Sequence, residues 1–217
     1  MSAPRKNLYT PVHKGIRQKL SEMLTLAGSL DFADVRQRQL FSDRFDSVAA
    51  MLESHAHHED KHIGPKIEQA APELNRRILA THHVLDDTLE EMQGILALIH
   101  REPAKARVLG YNFYLALARY VATQFDHMHE EESSVMGALW AAFDEATLDA
   151  VHNALLADIP PQEMGAWLSW MVPNLAPFEQ QGMIAGMKND APPEVLAFVE
   201  GLANQSTGVR EARLQAA

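Results

Sequence analysis

The stretch HAHHEDKHIGP, residues 55–65, contains four histidines and two acidic residues. A related stretch, HMHEEESSVMG, follows at residues 127–137. Both contain a histidine followed four residues later by a glutamate. Residues four apart lie one above the other on an α-helix, so each pair presents a nitrogen and an oxygen donor on one face. Which way these pairs face in the folded chain therefore decides both the fold and the chemistry.

Apolar residues recur at helical spacing through most of the chain, and no convincing stretch alternates with the period of two that is typical of a β-strand. Glycine and proline positions, including Gly64-Pro65, delimit four long helices. These are expected at about 10–27, 34–63, 72–100 and 103–143. Long helices with short connections predict an all-α fold of the up-down-up-down four-helix bundle type.

Beyond Asp144, prolines separate shorter amphipathic segments, which predicts several short helices. The expected domain organisation is a bundle at 8–143, a C-terminal helical extension at 144–205 and a tail at 206–217. Tryptophans in the extension either cover the bundle or form the interface of a homodimer.

Each long helix has an inward-facing stripe that includes a histidine, and two of the stripes add a glutamate. The candidate metal ligands on these stripes are His13, His55, Glu59, His82, His127 and Glu131. His57 and His58 lie off the stripe of their helix and are expected to be solvated.

A buried carboxylate is costly unless it is paired or bound to a cation, and no lysine or arginine lies on these stripes. Four imidazoles and two carboxylates at one level of a bundle would suit two divalent metal ions. Iron is favoured because open positions on such a site suit oxygen chemistry, while manganese and zinc accept the same ligand types. The alternative is a set of isolated core histidines and surface acids.

Composition excludes several other classes of protein. The 217-residue chain has a formal net charge of −10, which disfavours nucleic acid as a partner. It has no cysteine, which excludes disulfides and thiolate metal sites. No apolar run reaches the roughly 20 residues of a membrane span, and the N-terminus has no apolar signal region. A soluble, cytoplasmic protein without a membrane partner is therefore expected.

The residues His13, HAHHE (55–59), His82 and HMHEE (127–131) resemble the hemerythrin-like, or HHE cation-binding, family. The resemblance extends over about 8–143. It implies a four-helix bundle that holds a non-haem di-iron centre, with histidine ligands and bridging carboxylates from the six candidate residues.

One position departs from the oxygen-carrying members of that family. They have a second histidine one turn after the histidine of the third helix, where this chain has Asp86. Whether Asp86, His62 or His83 ligates the metal is left open. Three further polar residues lie on inward stripes near the candidate ligands: Tyr9, Tyr120 and Gln124. Their side chains either donate hydrogen bonds to a bound oxygen species or only pack in the core.

Three functions agree with this pattern. The first is a di-iron protein that binds or senses oxygen, nitric oxide or iron. The second is a di-iron enzyme that reduces peroxide, oxygen or nitric oxide with electrons from a partner reductase. The third is a structural or interaction bundle with zinc or no metal. The first two share a small gas or peroxide as the partner and share every ligand, so the sequence does not separate a binding protein from an enzyme.

Overall fold

A computed structural model describes residues 5–189 and 191–216, without the side chains of residues 211–214 and 216. The described residues form helices and no β-strand, which confirms the all-α prediction. The α-helices are α1 (Thr10–Ser29), α2 (Val35–His58), α3 (Gly64–Ala70), α4 (Pro72–Arg101), α5 (Ala106–Glu130), α6 (Met136–Ala142), α7 (Glu145–Asp158), α8 (Pro161–Met171), α9 (Pro177–Met187) and α10 (Pro193–Ala216).

Two π-helical turns and two short 3-10 turns complete the helical segments. The π-helical turns are Glu59–Ile63 and Glu131–Val135, and the 3-10 turns are Pro103–Lys105 and Val172–Asn174. Most of the predicted tail lies in α10, while its last residue, Ala217, is outside the described residues.

The chain divides into two compact units. The first comprises the residues up to Tyr9 together with Lys19–Asp158, and the second comprises Thr10–Gln18 together with the residues from Ile159 onward. The first half of α1 is thus counted with the second unit. The boundaries expected from the sequence stay a prediction.

In the first unit, α4 runs antiparallel to both α2 and α5. Arg77, near the start of α4, pairs with Glu130 at the end of α5 at 2.6 Å. Ser42 near the start of α2 lies 3.1 Å from His100 near the end of α4. An aromatic cluster lies at the same end as the Ser42–His100 contact, where Phe113 packs edge-on against Phe41 and Phe45 of α2.

The helix that begins with α2 does not end at Gly64-Pro65, so that prediction was wrong. It passes through the first π-helical turn and continues as α3 to Ala70. Pro65 is tolerated because it lies in the first turn of α3, where the backbone hydrogen-bonding register changes and an N–H is dispensable. The second π-helical turn joins α5 to α6 in the same way.

Helix α7 belongs to the first unit and packs close to both π-helical turns. Leu148 and Val151 of α7 share an apolar cluster with Ile63, Val135 and Leu139. This cluster closes the core on the C-terminal side of both HxxxE pairs.

The second unit has its own core. Leu168 and Val172 pack there with Val199 and Ala203 of α10. The buried Gln180 donates to the backbone oxygen of Val172 at 2.7 Å, which ties α9 to this core. Among the described residues, no helix combines the length and apolar character required to cross a membrane.

Candidate metal centre

His82 occupies the middle of the candidate site and is held from one side by a carboxylate. Its Nδ1 lies 2.8 Å from Oδ1 of Asp60, the residue that follows the glutamate of the first HxxxE pair. Its Nε2 faces Glu59 Oε2 at 3.7 Å and Glu131 Oε1 at 3.8 Å. Both distances are too long for hydrogen bonds, and Nε2 has no hydrogen-bond partner although His82 is only 3% exposed.

The two HxxxE pairs bring their own histidines to the same carboxylates. His55 Nε2 lies 3.0 Å from Glu59 Oε1, and His127 Nε2 lies 3.4 Å from Glu131 Oε1. All four residues are buried, and Glu131 is completely inaccessible. The ring of His127 also packs edge-on against that of His82, with centroids 4.6 Å apart.

Glu59, His82, His127 and Glu131 each offer one donor atom, and these atoms lie within 4.8 Å of one another. Nitrogen and oxygen ligands bind zinc-sized cations at about 2.0–2.2 Å, so ligands of one cation are about 3–4 Å apart. The contacts of His82 and His127 with the glutamates fall in that range. The buried, partnerless Nε2 of His82 and this spacing fit a bound metal ion.

The electrostatics of the cluster also favour a cation. Burial, followed by the charge of Glu59, raises the pKa of Glu131 well above its usual range. Burial alone would lower the pKa of His82, but the Asp60 hydrogen bond and the charges of Glu59 and Asp60 raise it. Burial and the charges of Glu131 and Glu59 likewise raise the pKa of Tyr9. In all three groups the protonated form is favoured more than usual, and a divalent cation at this centre would compete with those protons.

Both π-helical turns begin at the glutamate of an HxxxE pair, a feature the sequence analysis missed. Such turns occur frequently at functional sites. An extra residue in the turn moves the buried stripe from the third to the fourth position after the glutamate. The sequence carried a signal for this shift. The positions four and eight residues after each glutamate are apolar: Ile63, Ile67, Val135 and Leu139.

The shift also explains the histidines around the first pair. His62 turns away from the cluster and places Nε2 3.0 Å from Asp158 Oδ2. His57 is exposed as expected, but the prediction was wrong for His58, which is buried with Nδ1 2.7 Å from the backbone oxygen of Ser54. His83 is exposed beside His82.

His13 is completely buried in the first turns of α1. Its segment belongs to the second unit, and its role as a ligand stays a prediction.

A small cavity adjoins the cluster within the first unit. His82, His127, Tyr120 and Gln124 line it, together with the exposed carboxylates Glu53 and Asp86 and several apolar side chains. Burial and the charges of Asp86 and Glu53 raise the pKa of Tyr120, so its hydroxyl keeps its proton. The cavity joins the candidate metal centre to the surface.

Comparison with known proteins agrees with this geometry. The sequence profile of the hemerythrin HHE cation binding domain matches residues 7–139, more than half of the chain. Comparisons with curated proteins and with solved structures gave no match. The profile match includes both HxxxE pairs and His82, and the buried histidine–glutamate cluster fits a metal site. The chain therefore belongs to the hemerythrin HHE cation-binding family.

Proposed function

We propose that this protein holds two iron ions in an up-down-up-down four-helix bundle and uses them to bind or sense oxygen, nitric oxide or iron. The proposed ligands are the six residues His13, His55, Glu59, His82, His127 and Glu131. The observation that carries the proposal is the buried cluster around the partnerless Nε2 of His82.

The directions of the Glu59 oxygens support two ions rather than one. Oε1 of Glu59 approaches His55, while Oε2 approaches His82. With its two oxygens facing different histidines, Glu59 would offer one oxygen to each of two cations. Its negative charge and that of Glu131 would offset part of the charge of both ions.

The chain's own residues orient and isolate the site. Asp60 fixes the ring of His82 so that Nε2 points to the cluster, a role that outer carboxylates commonly have for ligating histidines. The apolar cluster with Ile63 and Val135 excludes water from the other side. When bound, the iron would supply coordination positions for a small ligand and electrons for its reduction.

Metal analysis with an absorption spectrum tests the proposal, on protein produced in iron-supplemented cells. We expect about two irons per chain and near-ultraviolet bands that respond to reductant and oxygen. His82→Ala should lose iron, whereas His83→Ala, the adjacent exposed histidine, should retain it. Zinc or no metal, even after anaerobic reconstitution with ferrous iron, would contradict the proposal and favour a structural role.

A second candidate is an enzyme that reduces peroxide, oxygen or nitric oxide at the same centre. The observation that favours it is the polar cavity at His82 and His127, because it gives a small substrate access. Repeated turnover would require electrons from a separate reductase. Consumption of peroxide or nitric oxide with a chemical reductant, above that of free iron, would support this candidate.

A further inference from the structure

Two polar side chains in the cavity are buried without a protein partner. Tyr120 and Gln124 lie one turn apart on α5 and are 3% and 5% exposed. Both line the cavity beside His82 and His127, and neither hydrogen-bonds to another described residue. Buried hydroxyl and amide groups are nearly always hydrogen-bonded, since leaving them unpaired costs free energy. Whatever enters the cavity is therefore their partner.

The charge at the cavity limits what that partner can be. Glu53 and Asp86 are both exposed and line the cavity, and neither forms an ion pair with another described residue. Their charges act on Tyr120, within the same cavity. Two unpaired carboxylates repel small anions and leave neutral molecules unaffected.

We infer that Tyr120 and Gln124 form a hydrogen-bonding subsite that takes hydrogen peroxide in preference to oxygen, nitric oxide or small anions. This inference rests on the second candidate function, a di-iron enzyme that reduces peroxide, and on the iron site that both candidates share. Peroxide is neutral and has two O–H donors and several acceptor lone pairs, so one molecule can satisfy a hydroxyl and an amide together. Oxygen and nitric oxide are weak acceptors and would leave the pair largely unsatisfied.

The cavity is small and partly polar. It has room for about one water-sized molecule. Water can occupy the subsite at rest, and peroxide is the oxidant whose hydrogen bonding most resembles that of water. An apolar pocket would have served a diatomic gas better, because no polar group would then lose its hydrogen bond on binding.

The test is a single-turnover oxidation of the ferrous-loaded protein by peroxide or by oxygen, followed by absorbance. Each peroxide accepts two electrons, one from each of two ferrous ions, and its O–O bond breaks to give two hydroxides. Tyr120→Phe and Gln124→Leu should each slow the peroxide reaction by about tenfold, the effect of one hydrogen bond. The oxygen reaction should change by less than about twofold, since oxygen gains little from these donors. Tyr111→Phe, at an exposed tyrosine of the same helix, is the matched control.

Two further readouts do not depend on peroxide chemistry. Azide, an anionic probe titrated by absorbance, should bind about tenfold more tightly when Glu53→Gln and Asp86→Asn are combined. The thermal midpoint of the metal-free protein should stay the same or rise in Tyr120→Phe and Gln124→Leu. A midpoint that falls by several degrees in both would show a packing role and overturn the inference.

These experiments distinguish a failure of the proposed subsite from a failure of the proposed di-iron function. If the protein binds two irons but the substitutions slow peroxide and oxygen equally, or slow neither, the subsite is wrong and the di-iron function stands. If the protein binds no iron, both proposals fail together.

Discussion

The two HxxxE segments, residues 55–63 and 127–135, have the same backbone but different surroundings. Each is an α-helix that changes to a π-helical turn at its glutamate. In each, the histidine nitrogen lies 3.0–3.4 Å from a glutamate oxygen. The first segment makes polar contacts with both α4 and α7. The second contacts α4 through the Arg77–Glu130 pair, and its Ser133 bonds to the backbone oxygen of His129 in its own helix, at 2.6 Å.

Charged residues of the first segment form polar contacts with two other helices. Asp60 hydrogen-bonds to His82 of α4, and Lys61 and His62 both contact Asp158 of α7. In the second segment, Glu131 is completely buried and its pKa is raised well above its usual range. The two segments thus differ in the polar contacts that follow the glutamate, and Glu131 is the more deeply buried of the two glutamates.

The largest expected difference between the segments is in metal affinity and metal-free stability. Glu131→Gln should reduce iron affinity by about 100-fold or more, because it removes a buried anionic ligand. It should stabilise the metal-free protein by about 1–3 kcal/mol, since it also removes a desolvated carboxyl. Competition with a chelator and urea unfolding of the metal-free protein measure the two effects.

The pH dependence of the stability of the metal-free protein tests the same effect of Glu131 independently. A carboxyl whose folded-state pKa lies above the ordinary 4.5 destabilises the fold as the pH rises above that value. The advantage of metal-free Glu131→Gln over the wild type should therefore grow from pH 4.5 towards neutral. Glu59→Gln is the matched variant in the first segment. Equal gains in both variants would show that the segments do not differ.

The helices and the histidine–glutamate cluster were predictable from the sequence, because both follow from inward-facing residues spaced three and four positions apart. His82, for example, continues the apolar stripe of Leu85 and Leu89, and the structure places it between Glu59 and Glu131. The π-helical turns were missed because an ideal helix was assumed beyond each glutamate.

Contacts made by α7 could not be predicted from the sequence. Lys61 and Asp158 are 97 positions apart and pair across two helices. Nothing in the local pattern of either residue specifies the other, since ion pairs between exposed residues follow from tertiary packing. The same holds for the burial of His58, which depends on neighbouring helices and not on its own stripe.

A smaller effect is expected at the contact that orients His82. Asp60→Ala should weaken iron binding by about 10–100-fold, because the ring of His82 loses the partner that fixes its orientation. Asp87→Ala, an exposed acid on α4, should leave the affinity unchanged. Glu132→Ala probes the equivalent position of the second segment. A loss confined to Asp60→Ala, measured by competition with a chelator, would show that this network belongs to the first segment alone.

The smallest expected effect is at the outer contact of the first segment with α7. Hydrogen bonds from Lys61 and His62 lower the pKa of Asp158 to about 2. A carboxyl with a lowered pKa stabilises the fold above its ordinary value of 3.8 and loses that contribution as the pH falls towards 2. Asp158→Asn should therefore lower the thermal midpoint slightly at pH 7 and progressively less below pH 4.

Salt and a paired variant distinguish this contact from a general charge effect. The contact is exposed, so added salt should reduce the difference between Asp158→Asn and the wild type. Asp149→Asn, which removes an ion pair of α7 with Lys6 instead, is the control. The effects of Asp158→Asn and Lys61→Ala should be less than additive, because each removes the same contact. Full additivity would mean that Lys61 and Asp158 do not stabilise the fold through their contact, and that α7 supports the first segment mainly through its apolar face.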